Sequence, residues 1–225
     1  MKIKNKIDLV ILAGGKGTRV RKLLEGGPKP LIKINGISFL QIILNQYAKY
    51  PFENIYILAG YRGNHIFKKF NGKVLNFTKV SCIIERKLLG TAGSLRVLKN
   101  KINNNFLVVN GDSFIDLKLN DIFSKKIKKH KKFLNNNNIY KSNKKLSNLS
   151  LVSEKKIKFK KKGHLMNAGV YLFKKNIFNY IKNNSFSLED EILPKLIDQS
   201  KIDGDYTNSY FVDIGTKKNL IYARK

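Results

Sequence analysis

The sequence predicts an α/β fold in which a mixed, mainly parallel β-sheet is flanked by helices. Short apolar segments rich in β-branched residues alternate with amphipathic segments along the first half of the chain. This alternation is typical of strand–helix–strand units and a parallel sheet. The chain has 225 residues, of which 42% are hydrophobic, and this is enough to bury the core of one domain. We therefore expect a single domain over residues 1–225.

Each apolar segment predicts one element of that fold. In the first half, strands are expected near residues 7–12, 54–59, 80–85 and 105–110, and helices near 38–49, 62–70 and 91–99. In the second half we expect strands near 149–152, 168–173 and 209–213, helices near 174–183 and 188–199, and a final helix. Thr91 and Ser187 are expected to cap the helices that they precede.

A glycine-rich turn follows the first strand. Gly14, Gly15 and Gly17 permit backbone conformations that side chains forbid, so main-chain N–H groups can approach an anion closely. Arg19 adds positive charge, and Lys29 lies between two prolines that hold its backbone stiff. Such a loop suits a polyphosphate.

Two other phosphate-binding motifs do not fit this turn. A Walker A loop requires a lysine after its last glycine, whereas Lys16 precedes Gly17. The dinucleotide fingerprint requires a third glycine where Val20 stands. An ordinary strand-to-helix turn would not explain Arg19 or the Pro-Lys-Pro segment.

The turn resembles the sugar-phosphate nucleotidyltransferase family, in which Gly-x-Gly-Thr-Arg is followed by Pro-Lys-Pro. Further segments recur here in the family's order and span nearly the whole chain: Leu89-Gly90-Thr91-Ala92-Gly93-Ser94, Asn110-Gly111-Asp112-Ser113-Phe114, Asn167-Ala168-Gly169, Phe186-Ser187-Leu188-Glu189 and Phe211-Val212-Asp213-Ile214-Gly215. The resemblance implies a Rossmann-like nucleotide-diphospho-sugar transferase fold. It also implies a nucleotide-binding half over residues 1–112 and a sugar-phosphate-binding half over 113–225.

The family's functional residues map onto this sequence position by position. Magnesium prefers carboxylates, and Asp112 ends a strand at the edge of the sheet where such folds bind ligands. By resemblance, Asp112 and Asp213 are the ligands of Mg²⁺, and Arg19, Lys29 and Asp112 are catalytic. The same resemblance assigns nucleotide binding to Ala13, Gly14, Gly15, Gly17, Thr18 and Gly90, and sugar-phosphate binding to Asn110, Lys162, Asn167, Gly169 and Glu189.

One of these positions departs from the family's pattern. The family usually carries Phe-x-Glu-Lys before the Asn-Ala-Gly strand, and this chain has Phe159-Lys160-Lys161-Lys162 with a shorter spacer. Lys162 is the best match to the lysine that holds the sugar phosphate.

The implied reaction joins a nucleoside triphosphate to a sugar 1-phosphate and releases pyrophosphate. A sugar phosphate is already an anionic nucleophile, so cations and positioning suffice without a general base. Within the family, the motifs are most similar to the D-glycero-D-manno-heptose 1-phosphate guanylyltransferases, which implies GTP and that heptose phosphate. Mannose 1-phosphate guanylylation, uridylylation or thymidylylation of another sugar 1-phosphate, and a non-catalytic nucleotide-binding protein remain open.

The net charge of +30 makes nucleic-acid binding a further alternative. Lysine is abundant throughout the chain, however, and a basic surface also attracts triphosphates, so we expect no nucleic-acid partner. Residues 125–162 hold fifteen lysines against one acidic residue; they are interpreted as a solvated excursion or as a basic flap over the substrate.

The remaining expectations concern location and assembly. No apolar run approaches the ~20 residues that cross a membrane, and the N-terminus has no signal-like segment. We expect a cytoplasmic monomer or homodimer with no membrane partner and without the hexapeptide-repeat tail of some relatives.

Overall fold

The structure, a computed structural model, describes residues 5–24, 26–125, 127–135, 149–151, 156–159 and 165–224. The strands are β1 (Ile7–Leu12), β2 (Lys33–Ile34), β3 (Ile37–Ser38), β4 (Ile55–Ala59), β5 (Val74–Leu75), β6 (Thr78–Ile84), β7 (Asn105–Asn110), β8 (Ser113–Ile115), β9 (His130–Asn135), β10 (Leu149–Leu151), β11 (Ile157–Phe159), β12 (Met166–Phe173), β13 (Ile202–Thr207) and β14 (Phe211–Asp213). The helices are α1 (Phe39–Tyr47), α2 (Gly63–Phe70), α3 (Gly90–Arg96), α4 (Asn120–Ser124), α5 (Leu193–Asp198) and α6 (Lys217–Ala223).

Within the described residues, eight strands form the main sheet in the order β13-β9-β12-β7-β1-β4-β6-β5. Strand β1 lies parallel to both β4 and β7, β4 is parallel to β6, and β13 is parallel to β9. Strand β12 is antiparallel to both of its neighbours, and β5 is antiparallel to β6. The predicted fold class, a mixed and mainly parallel sheet flanked by helices, is confirmed.

Both faces of the sheet are covered by apolar packing. Leu9 and Ile11 of β1 belong to one hydrophobic cluster, while Val10 belongs to a second cluster on the opposite face. Strands buried on both faces are expected to be almost continuously apolar, and five of the six residues over 7–12 are apolar, the exception being the buried Asp8. The site must therefore lie at the ends of the strands rather than on a face of the sheet.

Most predicted elements are found close to their predicted positions, but three predictions are wrong in detail. The segment predicted as a helix near 174–183 contains only a 3-10 helix, Lys175–Asn179. The helix predicted near 188–199 begins as a π-helical turn, Leu188–Ile192, before α5, with Ser187 accepting from the Asp190 backbone N–H as predicted. Thr91 is not a cap, because it lies inside α3.

The beginning of the lysine-rich segment is not a solvated excursion. Residues 130–135 form β9, which lies between β12 and β13 inside the main sheet. The side chain of Lys132 is 3% exposed. Sheet pairing with strands far away in sequence overrides the hydrophilic composition of β9. The flap was an alternative for the whole segment over 125–162, and most of that segment after β9 lies outside the described residues.

Replacing Phe106 with alanine should strongly destabilise the fold. Its ring is fully buried and lies 5.8 Å from the ring of Phe173 and 5.5 Å from that of Phe178. The cost should be about 3–5 kcal/mol, because the substitution removes burial and leaves a cavity. Phe77→Ala, at a ring that is 98% exposed, is the matched control and should change stability by less than about 0.5 kcal/mol. Urea unfolding measures both; equal losses would contradict the assigned core.

Candidate active site at the ends of β1 and β7

The paired ends of β1 and β7 set the position of the site. Leu12 is in register with Asn110, and the Gly111 backbone N–H donates to the Leu12 carbonyl at 2.8 Å. A Cβ on residue 111 would lie 2.8 Å from that same carbonyl oxygen. Only glycine permits this approach, and it brings the loop after β1 beside Asp112.

The glycine-rich loop packs directly against Lys29. Gly17 has a φ of 61°, and a Cβ there would lie 3.0 Å from Cβ of Lys29. Gly15, in contrast, is exposed and faces open space. Thr18 begins the 3-10 helix Thr18–Leu23, and Ala13 is buried beneath the loop.

Lys29 lies between two carboxylates. Its Nζ is 2.6 Å from Oδ2 of Asp112 and 4.0 Å from Oδ1 of Asp213. Burial and the charge of Asp112 raise the pKa of Asp213, while Lys29 and the more distant Arg19 oppose the rise. Two carboxylates are therefore held close together, and cations keep them from repelling each other fully.

A small antiparallel pair delivers the second carboxylate. Strand β14 pairs with β8 so that Asp213 lies opposite Ser113, the residue after Asp112. The Ile214 backbone N–H donates to the Asp112 carbonyl at 3.0 Å, and the Gly215 N–H donates to the Asp213 carboxylate. These bonds fix both carboxylates at the same end of the sheet.

A cavity of about 530 Å³ opens beside these groups. Its walls include eight of the residues predicted for the site: Ala13, Gly14, Gly15, Lys29, Gly90, Asn110, Asp112 and Glu189. Other walls are formed by Lys16, Glu85, Leu88, Thr91 and Phe186. Glycine loop, cation and carboxylate thus meet at one end of the cavity.

The other end of the cavity carries a chain of polar side chains. Asn167 donates to the Tyr171 hydroxyl, which in turn donates to Oε1 of Glu189 at 3.1 Å. Asn110 lines the cavity, and its Oδ1 is buried with no hydrogen-bond partner among the described residues. Gly169 of β12 has a φ of 69° and packs closely against Asn110. A Cβ added to Gly169 would lie 2.9 Å from Nδ2 of Asn110.

Helix α3 is tied to the segment that carries Glu189. The Thr91 hydroxyl donates to Oε2 of Glu189 at 2.7 Å and accepts from the Leu188 backbone N–H at 2.8 Å. Gly90 has a φ of 71°, and a Cβ there would lie 2.2 Å from the Phe186 carbonyl oxygen. Gly90 is therefore required by close backbone packing between two distant segments.

Eight of the fifteen predicted site residues line the cavity, and Gly17, Thr18 and Asp213 adjoin Lys29 or the glycine loop without lining it. The other four are placed differently or lie outside the described residues. Arg19 is exposed and does not line the cavity, although its charge reaches Asp213. Asn167 and Gly169 do not line the cavity. Asn167 donates to the Tyr171 hydroxyl, and Gly169 packs against Asn110. Lys162 lies outside the described residues.

Sequence reasoning missed two charged residues near the cavity. Glu85 ends the strand segment before the Leu-Gly-Thr-Ala motif, and its Oε1 is buried without a hydrogen-bond partner in the described part of the chain. Its position at a strand end was a usable signal. Lys132 is buried in β9, and nothing in its lysine-rich surroundings distinguished it.

These features define an α/β site in which a glycine loop, a lysine and a pair of carboxylates meet, and comparison with known proteins shows its family. A model of the nucleotidyl transferase family matches residues 9–225. The chain belongs to that family.

Its relatives carry two kinds of name. The chain is 33% identical to the D-glycero-alpha-D-manno-heptose 1-phosphate guanylyltransferase of Campylobacter jejuni, over 96% of this chain and 98% of that protein. It is 32% identical to the bifunctional protein GlmU of Methanococcus vannielii over 96% of this chain, and it spans 54% of that protein's length. The chain thus spans about half the length of the GlmU relatives that it matches.

A solved structure with the same fold is HddC from Yersinia pseudotuberculosis complexed with GMP-PN. It superposes with a TM-score of 0.82 at 25% identity, over 97% of this chain and 98% of that one. No helix among the described residues is both long and apolar enough to cross a membrane.

Replacing Asp213 with asparagine should stabilise the protein when no divalent cation is present. A carboxyl whose pKa is raised in the fold costs stability once it ionises, so the gain should be present at pH 7. It should shrink as the pH falls through the raised pKa towards 3.8, the ordinary value, below which the carboxyl is protonated in both states. Thermal unfolding in EDTA should show a midpoint about 2–4 °C higher, equivalent to about 1 kcal/mol.

The matched control for this prediction is Asp121→Asn. Asp121 is exposed on α4 and pairs with Lys125, so its loss should move the midpoint little. A lower midpoint for Asp213→Asn at pH 7 would contradict the repulsion inferred between the two carboxylates.

Proposed function

We propose that this protein transfers a nucleoside monophosphate from GTP to D-glycero-D-manno-heptose 1-phosphate, giving the GDP-sugar and pyrophosphate. The observation that carries the reaction class is the meeting of the glycine loop, Lys29, Asp112 and Asp213 at one end of a cavity. The choice among substrates rests on Glu85 at the cavity wall and on the name of the Campylobacter jejuni relative.

The carboxylate pair fits a divalent cation, for which we propose Mg²⁺. Among the described residues, no three or more His, Cys, Asp or Glu side chains are placed so that they could hold a metal ion together. Magnesium does not require such a group, since it is commonly held by one or two carboxylates together with substrate phosphates and water. When bound, it would neutralise charge on the phosphates. Burial, and after it the charge of Asp112, raise the pKa of Asp213 although Lys29 lies beside it; a bound cation would oppose that rise.

The chain's own residues have to overcome repulsion between two anionic substrates. The N–H groups of Gly14 and Gly15 would receive the triphosphate, because this backbone lines the cavity and Gly15 faces open space. Arg19 would stabilise the charge that develops on departing pyrophosphate. Lys29 would hold the sugar phosphate in line with the α-phosphorus, and since that phosphate is already ionised, no side chain has to remove a proton.

Glu85 favours guanine among the bases. An ionised carboxylate only accepts hydrogen bonds, and guanine presents two adjacent donors, N1–H and the 2-amino group. Oε1 of Glu85 is buried at the cavity wall. It lies close to the glycine loop, since a Cβ added to Gly14 would be 3.4 Å from this oxygen. Uracil and thymine offer one N–H between two carbonyl oxygens, so a carboxylate would face an acceptor. This chemistry argues against uridylyl and thymidylyl transfer.

The polar end of the cavity suits a sugar. Oδ1 of Asn110 lacks a partner among the described residues, and Glu189 lines the wall with its two carboxylate oxygens. Both are acceptors for sugar hydroxyls, which are donors. A buried acceptor without a partner costs free energy until a ligand pairs with it.

Turnover with GTP and D-glycero-D-manno-heptose 1-phosphate is the direct test. Purified protein with Mg²⁺ and inorganic pyrophosphatase should release phosphate with this pair and much more slowly with UTP, CTP, dTTP or ATP, or with other sugar 1-phosphates. Asp112→Asn should lower the rate by about 100-fold or more, because it removes one of the two carboxylates proposed to hold Mg²⁺ beside the reacting phosphates. Release with a different pair would overturn the substrate assignment. Silence across the panel would indicate a nucleotide-binding protein without catalysis.

Replacing Glu85 with glutamine should weaken discrimination for guanine. The amide would present a donor to a base edge that also donates, so kcat/KM for GTP should fall by about 10- to 100-fold, the usual value of a bidentate base contact. The ratio of UTP to GTP turnover should rise. Glu53→Gln, at a surface carboxylate paired with Lys6, should change neither quantity. An unchanged ratio for Glu85→Gln would remove Glu85 from base recognition.

A further inference from the structure

Lys132 lies in β9, the strand next to β12, whose Tyr171 belongs to the polar end of the cavity. In β9, Lys132 is in register with Tyr171 of β12 on one side and with Gly204 of β13 on the other. Residues directly opposite each other in an antiparallel pair point to the same face. Lys132 therefore shares a face with the Tyr171 hydroxyl, which donates to Glu189.

A buried lysine at this position requires a compensating charge. Burial lowers the pKa of Lys132 to about 8, and the charge of Glu189 acts in the opposite direction. The neighbouring lysine behaves differently, since Lys131 points to the other face and pairs with Asp205 at 2.7 Å. Lys132 does not line the cavity, whereas Glu189 does. Lys132 is therefore expected to affect a ligand by its electrostatic interaction with Glu189, which lines the cavity.

Glu189 has acceptor capacity left for a ligand. Each carboxylate oxygen has two lone pairs. Thr91 donates to Oε2 and Tyr171 donates to Oε1, so each oxygen keeps one position free of these two donors. In both bonds the carboxylate of Glu189 is the acceptor. A nearby cation attracts the carboxylate oxygens and helps to hold them in this arrangement.

We propose that Lys132 is a positioning residue that helps to hold the Glu189 carboxylate oriented as an acceptor for sugar hydroxyls, and so helps to set the sugar preference of the cavity. This inference rests on the proposed function for its substrate class. The coupling between Lys132 and Glu189, however, is a property of the folded protein alone. It can be measured without any substrate.

A double-mutant cycle tests the inference through turnover. Lys132→Met keeps most of the side-chain volume and removes the charge, and it should raise KM for the sugar 1-phosphate about tenfold while KM for the triphosphate stays within about twofold. In a Glu189→Gln background, the same substitution should change KM for the sugar phosphate by less than about twofold, because the charge it supports is absent. Lys131→Met is the matched control and should change neither KM.

Urea unfolding of the same four proteins gives an independent arm. Glu189→Gln leaves the buried charge of Lys132 without its partner, and Lys132→Met removes the cation that attracts the partly buried Glu189. Each substitution should therefore lower the unfolding midpoint, and the double variant should lose less than the sum of the two. Additive midpoint shifts, or an equal rise in KM in both backgrounds, would overturn the inference. Coupled midpoints with an unchanged KM for the sugar phosphate would also overturn the positioning role, while leaving the proposed function intact.

Loss of the proposed function would look different. If no pair of triphosphate and sugar 1-phosphate turned over with the unmodified protein, the reaction assignment would fail. The unfolding cycle would then decide alone whether Lys132 and Glu189 act as a pair.

Discussion

The close approach of β1 and β7 is the constraint on which the site depends. Their parallel pairing ends with the Gly111 N–H on the Leu12 carbonyl, and no side chain larger than glycine fits there. Because the two strands are parallel and end on the same side of the sheet, the glycine loop after β1 and the carboxylate of Asp112 after β7 lie side by side. Moving either strand by one residue would reverse the direction of its side chains and separate the two.

Hydrogen bonds connect the two ends of the cavity. Helix α3 follows Gly90, which lies beside the proposed base site, and the hydroxyl of Thr91 holds the segment that carries Glu189. The Ala92 N–H also donates to the Phe186 carbonyl. The proposed nucleotide and sugar walls therefore share hydrogen bonds. A ligand that orders one wall is expected to reduce the conformational freedom that the second ligand must still remove.

Local sequence patterns were sufficient for the glycine loop, the buried strands and the carboxylate at the end of β7. Each depends on a few consecutive residues, such as apolar alternation or a turn that only glycine permits. The family resemblance added Asp213 and Glu189, whose proximity to the loop depends on the β8–β14 pair and on Thr91. Lys132 could not be found in this way. Its burial arises from pairing with β12 and β13, and a lysine in a lysine-rich stretch has the same local pattern whether it is buried or solvated.

The origin of the second carboxylate has a consequence for protein synthesis. Asp213 belongs to β14, which follows every strand of the main sheet in the order of translation. A nascent chain can fold the glycine loop, β1 and β7 early, since chains acquire structure from the N-terminal side as they are made. Until β14 pairs with β8, such an intermediate has Lys29 and Asp112 but only half of the carboxylate pair. On the ribosome, the growing polypeptide would therefore form the loop proposed to receive the triphosphate before it completes the carboxylate pair proposed to hold the metal.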